Sequence, residues 1–300
     1  MSIIVVGTSA FDDIQTPRGK RKKIIGGSCI YFSLAASFKS RTKIISVVGK
    51  DFPKKTLNLL NRKKVATEGL AIEEGKTFSW GGVYNKFSED PVTKFTRLNV
   101  FQNFSPQVPQ SYTKGSMLFL ANIDPVLQNK VLDLYPNARI VGMDTMNFWI
   151  NSKRNELNKI LKRINILTIN ELELRLIARK SSFNDCLDVL RNRYQIKFLI
   201  IKRGSSGSML VTNKTIKWIP SYPFCDVVDP TGAGDSYAGA LFSYLDTLKN
   251  INQKSILEGM LYASALSSFT IEKFGVERLL TLKKKDLNAR IKLLKEIIKL

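Results

Sequence analysis

The residues best suited to chemistry lie in the stretch "DPTGAGDSYAGAL", which covers 229–241. Two glycines and an alanine, Gly232, Ala233 and Gly234, stand between a threonine and an aspartate, and small and apolar residues follow without a turn signal. The first N–H groups of a helix have no partner within it and carry the positive end of its dipole. Because glycine lets a ligand approach the backbone closely, the three residues predict an anion hole at the start of a helix.

Asp235 follows directly, and its carboxylate would repel an anion. The placement is explained if the carboxylate takes a proton from a hydroxyl group that attacks phosphorus, since phosphoryl transfer needs a base beside an anion hole. The structural alternative is that aspartate favours a first helical turn through the dipole alone. A Walker-type loop is excluded, because no G-x-x-x-x-G-K-[ST] occurs in the chain.

Composition removes several other kinds of catalysis. The 300 residues contain no histidine, so acid–base chemistry must use a carboxylate, Lys, Tyr or Cys. The three cysteines are odd in number and far apart, which argues against a disulfide framework or a Cys-based metal site.

No apolar run approaches the roughly 18 residues of a membrane span. The opening "MSIIVVGTSAF" is typical of a first β-strand and not of a signal peptide, so we expect a cytoplasmic protein without a membrane partner.

The net charge of +22 has two explanations. It could mark a protein that binds nucleic acid or a membrane surface. It could equally reflect lysine as the default surface residue, because the basic residues are spread along the chain and the densest runs, 20–23 and 283–285, are short. We favour the second explanation and do not expect nucleic acid as a partner. The charge would still attract anionic phosphates.

Short β-type runs alternate with helical patterns along most of the chain. "SIIVV", "TKIISVV", "MLFLA", "ARIVGMD", "NILTI" and "KFLII" predict strands, and helical segments lie between them. This order predicts an α/β fold, a doubly wound and mostly parallel sheet with helices on both faces. We expect a single domain over 1–300. Residues about 10–25 and 70–105 break the alternation with aromatic and polar β-like stretches, which predict a small antiparallel lid.

The motif at 229–241 is similar to the C-terminal signature of the ribokinase-like (PfkB) sugar and nucleoside kinases. Four further regions resemble the family in the same order, so the resemblance covers nearly the full chain. They are "GTSAFDD" at 7–13 with "GGS" at 26–28, "NELE" at 170–173, "IKRGSSGSML" at 201–210 and "YASALSSFTIEKFG" at 262–275.

The resemblance implies a role for each matching position. Asp235 would be the base that activates a primary hydroxyl, and the N–H groups of Gly232, Ala233 and Gly234 would neutralise charge on the transferring phosphoryl group. The implied ATP-binding residues are Asn170, Glu173, Lys202, Gly204, Gly207, Thr231 and Ser264. The implied acceptor-binding residues at the N-terminal end are Asp12, Gly26, Gly27 and Ser28. The implied cofactors are ATP and Mg²⁺, with Asn170 and Glu173 holding Mg²⁺ through water, and K⁺ near Asp229.

Three of these positions have structural alternatives. Asn170 could cap the helix that follows, with Glu173 completing a capping box. Beside the other motifs we favour the metal shell. Asp12 could be a turn residue next to Asp13, although a carboxylate can accept two hydrogen bonds from a sugar diol. Lys202 could be a solvated strand end, and this choice stays open.

One position departs from the family pattern and bears on the acceptor. Many sugar kinases of the family have asparagine where this chain has Tyr31, which weakens the analogy with ribokinase. Aromatic residues around the lid could stack on a base or form its core. Asn147 and Trp149 follow a strand end, where ligands bind in open parallel sheets, so they are candidate neighbours of the acceptor.

These observations predict an ATP-dependent kinase that phosphorylates the hydroxymethyl group of a nucleoside, of the adenosine type, or of a sugar. The "GGS" triplet looks more like adenosine kinases than ribokinase, so we favour the nucleoside over a sugar of the ribokinase or fructokinase type. The rival from another class is a non-catalytic nucleic-acid-binding or sensor protein on the same fold. Open lid strands could also pair to form a homodimer through the lid, which the sequence does not decide.

Overall fold

The computed structural model describes residues 2–87, 90–112 and 117–298. The strands are β1 (Ser2–Val6), β2 (Ala10–Thr16), β3 (Gly19–Gly26), β4 (Arg41–Gly49), β5 (Val65–Glu73), β6 (Ser79–Val83), β7 (Val92–Arg97), β8 (Met117–Leu120), β9 (Val141–Asp144), β10 (Ile166–Asn170), β11 (Phe198–Lys202), β12 (Ser208–Val211) and β13 (Ile216–Ile219). The helices are α1 (Ser28–Ala36), α2 (Lys54–Arg62), α3 (Pro125–Asp133), α4 (Asn147–Ser152), α5 (Arg154–Leu161), α6 (Glu171–Ala178), α7 (Phe183–Arg193), α8 (Ala233–Asp246), α9 (Gln253–Thr270), α10 (Glu277–Thr281) and α11 (Lys284–Ile298).

The main sheet has the strand order β13-β12-β11-β10-β9-β8-β1-β4-β5. The strands from β5 to β11 in this order pair in parallel, whereas β12 and β13 pair antiparallel at one edge. The predicted α/β fold with a mostly parallel sheet is confirmed. Because parallel strands all end at one edge, the residues that follow their carboxyl ends are brought together there.

The apolar run in β1 shows why the sheet is covered on both faces. Ile3 and Val5 belong to one core cluster, and Ile4 and Val6 belong to the other. The first cluster includes side chains of α1, α8 and α9, and the second includes side chains of α3, α5, α6 and α7. All four strand residues are fully buried, as expected for a central parallel strand.

The small sheet, made of β2, β3, β6 and β7 in the order β3-β2-β6-β7, lies where the lid is predicted. Its predicted antiparallel character is wrong in one respect, because β2 and β6 run parallel. These two strands are separated by β3, α1, β4, α2 and β5, and such a long crossover permits parallel pairing. The segment predicted as 70–105 also starts too early, since β5 pairs with β4 in the main sheet. Positions 88 and 89 of that segment lie outside the described residues.

The last helix, α11, contacts the core through one apolar face. Leu287 and Leu294 are buried and Ile291 packs against the same cluster, whereas Ile298 is 41% exposed. No helix in the described part of the chain has both the length and the apolar character needed to cross a membrane.

Candidate active site

The residues of the predicted anion hole lie at the start of α8. Gly232 precedes the helix with φ of 74° and ψ of 4°, a left-handed conformation that glycine adopts without strain. A Cβ atom at this position would lie 2.3 Å from Cδ1 of Tyr31, so the tyrosine ring forms the floor beneath the turn. Gly239, further along α8, lets the helix approach the Phe32 carbonyl of α1 closely, which fixes one helix against the other.

The three predicted N–H donors are not equivalent. The Ala233 N–H donates to the Pro230 carbonyl at 3.2 Å, which makes it a weaker candidate for binding an anion. Among the described residues, no acceptor lies opposite the N–H groups of Gly232 and Gly234. These two groups are therefore available for a ligand, and the role of all three stays a prediction.

Asp235 lies in the first turn of α8 beside these N–H groups. The pKa of its carboxyl is raised to about 7: burial is the largest cause, the Asp144 carboxylate adds to the rise, and the Lys202 ammonium opposes both. A carboxyl with a pKa near neutral pH is suited to accept a proton from a hydroxyl group. The structure thus gives Asp235 the electrostatic setting that the predicted base requires.

Lys202, Asp144 and Asn170 end three neighbouring parallel strands, β11, β9 and β10. The Lys202 ammonium donates to Asp144 Oδ2 at 3.1 Å. The ammonium also lies 3.1 Å from where a Cβ atom on Gly234 would stand. Lys202 is therefore not a solvated strand end, because it adds a positive charge at the edge of the anion hole.

Asn170 and Glu173 form the capping box that was the alternative to a metal shell. The Glu173 N–H donates to Asn170 Oδ1 at 2.8 Å, and the Asn170 N–H donates to Glu173 Oε2 at 2.7 Å. The carboxyl of Glu173 is buried, and burial together with Asp144 raises its pKa although Lys202 opposes the rise. The role of Asn170 and Glu173 in a hydrated metal shell stays a prediction, and both side chains would have to keep these capping hydrogen bonds while they contact the water ligands.

Asp12, on β2, lies against Gly26 of the glycine pair, and the role of these residues in binding the acceptor stays a prediction. A Cβ atom on Gly26 would stand 1.8 Å from Asp12 Oδ2, so only glycine leaves room for the carboxylate. Gly27 has φ of +95° and begins α1. The pKa of Asp12 is raised to about 8: burial is the largest cause, Asp229 and Asp235 add to the rise, and the Gly27 N–H opposes it.

Two of the predicted acceptor-binding residues, Ser28 and Tyr31, contact other parts of the protein itself. The Ser28 hydroxyl accepts from the Thr8 N–H at 3.0 Å, which ties the end of β1 to α1. Tyr31 is 1% exposed, and its buried hydroxyl has no hydrogen-bond partner among the described residues. The tyrosine therefore supports the anion hole from below, and its contact with an acceptor stays a prediction.

Asp229 and Thr231 connect the anion hole to the small sheet. Asp229 is fully buried and accepts from the N–H groups of Thr231 and Gly275, each at 2.9 Å. The Thr231 hydroxyl donates to the Tyr84 hydroxyl at 3.1 Å. Tyr84 comes directly after β6. Thr231, which is predicted to bind ATP, is therefore hydrogen-bonded to the small sheet, which is predicted to be the lid.

The predicted nucleotide-binding turn lies between β11 and β12. Gly204 has φ of +54° and Gly207 has φ of +87°, and a Cβ atom on Gly207 would meet the Ile219 carbonyl oxygen at 2.2 Å. Ser264, in α9, donates its hydroxyl to the Pro220 carbonyl at 2.7 Å and is 7% exposed. The serine thus holds the segment after β13, and its contact with ATP stays a prediction.

Asn147 and Trp149 lie in α4, directly after β9. Asn147 is exposed, and its side-chain oxygen accepts from the Phe148 N–H at 2.7 Å. Phe148 is 57% exposed and packs edge to face on Trp149 with 4.7 Å between ring centroids. Both predicted residues are at the edge of the sheet where the other site residues lie.

Sequence reasoning missed Asp144 and Tyr84. Asp144 ends the apolar strand β9, and the rule that directs attention to carboxyl ends of parallel strands would have found it. Tyr84 lies just after β6 within the "WGGVYNKF" stretch, and no local signal distinguishes it from the neighbouring aromatic residues. Its contact with Thr231, 147 positions away, exists only in the folded chain.

Tyr84→Phe tests the contact between the small sheet and the anion hole. We expect the apparent KM for ATP to rise and kcat to fall, with a loss of about threefold to tenfold for one hydrogen bond worth about 1 kcal/mol. Initial rates at varied ATP concentration measure this. The control is Tyr112→Phe, which removes a buried tyrosine hydroxyl that bonds to the Ala66 carbonyl in the main body. An equal effect of both variants would contradict a specific role of Tyr84.

The described residues contain no group of three or more Cys, Asp or Glu side chains arranged to hold a metal ion directly. The oxygen donors near the anion hole fit Mg²⁺ better as partners of its water ligands, since Mg²⁺ usually keeps several waters. The unpartnered N–H groups and the Lys202 ammonium fit the phosphates of a nucleotide.

The chain is similar to known kinases over most of its length. The chain is 26% identical over 249 residues to a cytidine kinase of Thermococcus kodakarensis. The aligned region covers 81% of this chain and 88% of that protein. It is 25% identical over 294 residues to a nucleoside kinase of Methanothermobacter thermautotrophicus. That aligned region covers 92% of this chain and 91% of the relative. The crystal structure of the Methanocaldococcus jannaschii nucleoside kinase, an archaeal member of the ribokinase family, superimposes with a TM-score of 0.75 at 21% identity, over 97% of this chain and 98% of the other.

The family model described as pfkB family carbohydrate kinase matches residues 26–282. That range contains the glycine pair, the Asn170 cap and the whole anion hole with Asp235. The protein is a nucleotide-dependent phosphotransferase with an alcohol group as acceptor, and the chain belongs to the pfkB family of carbohydrate kinases.

Proposed function

We propose that this protein transfers the γ-phosphoryl group of ATP to the hydroxymethyl group of a nucleoside or a related ribosyl compound. The observation that carries the proposal is the Asp235 carboxyl, with its pKa near 7, in the first helical turn beside the unpartnered N–H groups of Gly232 and Gly234. The two relatives that match most of the chain are named as cytidine and nucleoside kinases, which favours a nucleoside over a simple sugar.

The residues divide the reaction between them. Asp12 accepts hydrogen bonds from the acceptor diol and orients the hydroxymethyl group toward Asp235. Asp235 takes the proton of that hydroxyl as its oxygen forms the bond to phosphorus, and the bond from phosphorus to the leaving oxygen breaks with its electron pair. The N–H groups of Gly232 and Gly234 and the Lys202 ammonium stabilise the negative charge on the transferring group.

The nucleotide and ions follow from the same residues. ATP supplies the phosphoryl group, and Mg²⁺ neutralises its phosphates. Asn170 and Glu173 would hold Mg²⁺ through water, and Asp229 would help to hold K⁺ near the anion hole. The phosphates and the adenosine of ATP would be contacted by Thr231, Gly204 and Gly207. Ser264 would hold the neighbouring segment after β13.

The small sheet would cover the acceptor. Pairing of two small sheets into a dimer stays part of the proposal, but β3 has the consecutive basic residues Lys20, Arg21, Lys22 and Lys23 on its exposed stretch. Lysine on an edge strand opposes pairing. A dimer would therefore use the opposite edge strand, β7.

The test is a screen of nucleosides and pentose or hexose sugars for ATP consumption, followed by identification of the phosphorylated product. We expect nucleosides to be phosphorylated with the higher kcat/KM. Turnover of sugars alone would identify a sugar kinase of the ribokinase or fructokinase type. If no nucleoside or sugar in the screen led to ATP consumption, and the protein bound RNA with a salt-dependent affinity, the result would favour the non-catalytic alternative suggested by the +22 charge.

Asp12→Asn tests acceptor recognition. At pH 9, above the pKa of about 8 at which Asp12 loses its proton, we expect the acceptor KM to rise by about tenfold or more, since a hydrogen bond to a charged group contributes about 1.5–3 kcal/mol. The KM for ATP should change little, because Asp12 faces the acceptor side. The matched control is Asp13→Asn on the same strand, whose carboxylate instead accepts from the Lys23 N–H at 2.8 Å. A larger effect of Asp13→Asn would contradict the assignment.

A further inference from the structure

Asp144 has a geometry that the residue roles above do not explain. It is 5% exposed at the end of β9, its Oδ1 accepts from the Thr145 N–H at 2.7 Å, and its Oδ2 accepts from the Lys202 ammonium at 3.1 Å. The side chains of the pair are 8% and 19% exposed. A buried ion pair rarely adds net stability over apolar residues of the same size, because both charges lose their hydration. Its presence at the phosphoryl-transfer site therefore suggests a role in the reaction.

The position of the ammonium shows what the pair could do. A Cβ atom on Gly234 would lie 3.1 Å from Lys202 Nζ, so the charge sits over the backbone of the first turn of α8. A phosphoryl group bound by that turn would meet the ammonium as well as the N–H groups. Lysine has a flexible four-carbon stem and needs a fixed partner to stay in one place.

The Asp144 carboxylate is such a partner. Its second oxygen is fixed by the Thr145 N–H, and the strand that carries it is pinned in the centre of the sheet by pairing with β8 and β10. Glu173 also attracts Lys202 electrostatically, so the ammonium has two carboxylates between which it could move if Asp144 were lost.

We propose that Asp144 is a positioning residue that holds the Lys202 ammonium over the anion hole and, together with it, balances the charge around Asp235. The proposal rests on the proposed function of Asp235 as the base. Asp144 touches neither the phosphoryl group nor the acceptor, and it acts through Lys202.

The charged groups around Asp235 come from several elements. The carboxylate of Asp144 raises the pKa of Asp235 after burial, and the Lys202 ammonium lowers it. Other titratable side chains that interact with Asp235 or with the pair are Asp12 on β2, Cys29 and Tyr31 on α1, and Glu173 on α6. Removing one member of the pair should therefore move the pKa of Asp235 in the opposite direction from removing the other.

The first experiment measures this without nucleotide or acceptor. Urea unfolding from pH 5 to pH 8.5 is compared for the wild type, Asp144→Asn and Lys202→Met, each with and without Asp235→Asn. The difference within each pair of curves reports the pKa of Asp235, because stability depends on pH through the protons bound in the two states. We expect Asp144→Asn to lower that pKa below about 7, Lys202→Met to raise it, and Asp144→Glu to leave it unchanged.

The control pair lies at the other end of the same helix. Asp246 is 4% exposed and forms an ion pair at 3.7 Å with Arg139, whose side chain is 29% exposed, so Asp246→Asn and Arg139→Met also remove members of a partly buried pair. Both should lower stability without moving the pKa of Asp235. If Lys202→Met does not fold, Lys202→Gln gives the same comparison. Shifts in one common direction for Asp144→Asn and the Lys202 variant, or no shift at all, would overturn the proposal.

The second experiment separates positioning from a structural role. With ATP, Mg²⁺ and cytidine, or the best acceptor in the screen, Lys202→Met should lower kcat by about 10²-fold to 10³-fold, as for loss of one donor to a developing charge. Asp144→Asn should lower kcat by up to about 10²-fold through misplacement of the ammonium. The acceptor KM should stay unchanged, and Asp144→Glu should restore part of kcat. An unchanged kcat in Asp144→Asn would overturn the proposal, whereas a wild type inactive on every acceptor would defeat only the proposed function.

Discussion

Asp235→Asn should lower kcat by about 10²-fold to 10⁴-fold, the range expected for loss of a positioned general base. The amide has the size of the carboxyl but cannot accept the proton of the attacking hydroxyl at neutral pH. In the wild type, kcat/KM should rise with pH through about 7, where Asp235 loses its proton. The variant should lose this rise. Initial rates from pH 5.5 to pH 9 with a confirmed acceptor measure both effects.

The same variant should be more stable than the wild type in alkaline buffer. Burial raises the pKa of Asp235 above that of an unfolded aspartate, about 3.9. The protonated carboxyl therefore contributes stability that is fully present below the unfolded pKa and is lost as the pH rises through about 7. Above that pH the buried carboxylate destabilises the fold, and the neutral amide avoids this cost. Thermal unfolding at pH 5 and pH 8 measures the difference.

Asp246→Asn is the matched control for both effects, because Asp246 is a buried carboxyl at the opposite end of α8. It should leave kcat near the wild-type value. If Asp235→Asn retained wild-type turnover, or if Asp246→Asn reduced it equally, Asp235 would not be the base. If Asp235→Asn were less stable than the wild type at pH 8, the raised pKa would be wrong.

The sequence predicts the α/β fold and the helix that begins before Asp235 well, because both depend on local signals. The apolar strand runs alternate with helical segments, and the glycines before Asp235 mark a helix start with bare N–H groups. β5 escaped prediction because its "VATEGLAIE" sequence mixes glycine and glutamate with apolar residues, and only pairing with β4 makes it a strand.

The acceptor end of the site is harder to predict, because it depends on contacts between distant segments. Gly26 could be identified as a close-approach position, but the atom it makes room for, Asp12 Oδ2, is known only from the fold. Tyr31 stands where relatives have asparagine and was therefore expected to face the acceptor. Its burial beneath Gly232 results from the packing of α1 against α8, which no local pattern encodes.

This packing makes Gly232→Ala the most damaging single change that we expect in the anion hole. A Cβ atom would lie 2.3 Å from the Tyr31 ring in a backbone with φ of +74°. The left-handed conformation costs about 1–2 kcal/mol for a residue with a Cβ atom, and overpacking adds about 1–3 kcal/mol. Relief of the clash would move the N–H groups that face the phosphoryl group, so kcat should fall by about 10²-fold or more.

Gly204→Ala separates the two causes of instability. Gly204 also has a positive φ, +54°, but a Cβ atom there would have no other atom within 4 Å. Urea unfolding of the two variants should therefore show a smaller loss of stability for Gly204→Ala, and the difference reports the contact with Tyr31. This comparison concerns stability alone, since Gly204 belongs to the proposed nucleotide-binding turn.

A double-mutant cycle then tests the contact itself. In a Tyr31→Leu background the smaller side chain leaves room for the new methyl group, so Gly232→Ala should cost less stability and less kcat than it does in the wild type. A favourable coupling of this kind is expected for residues in contact and not for distant, independent positions. If Gly232→Ala cost the same in both backgrounds, or no more than Gly204→Ala, the tyrosine ring would not be the floor of the anion hole. In that case the replacement of asparagine by Tyr31 would have to act on the acceptor directly.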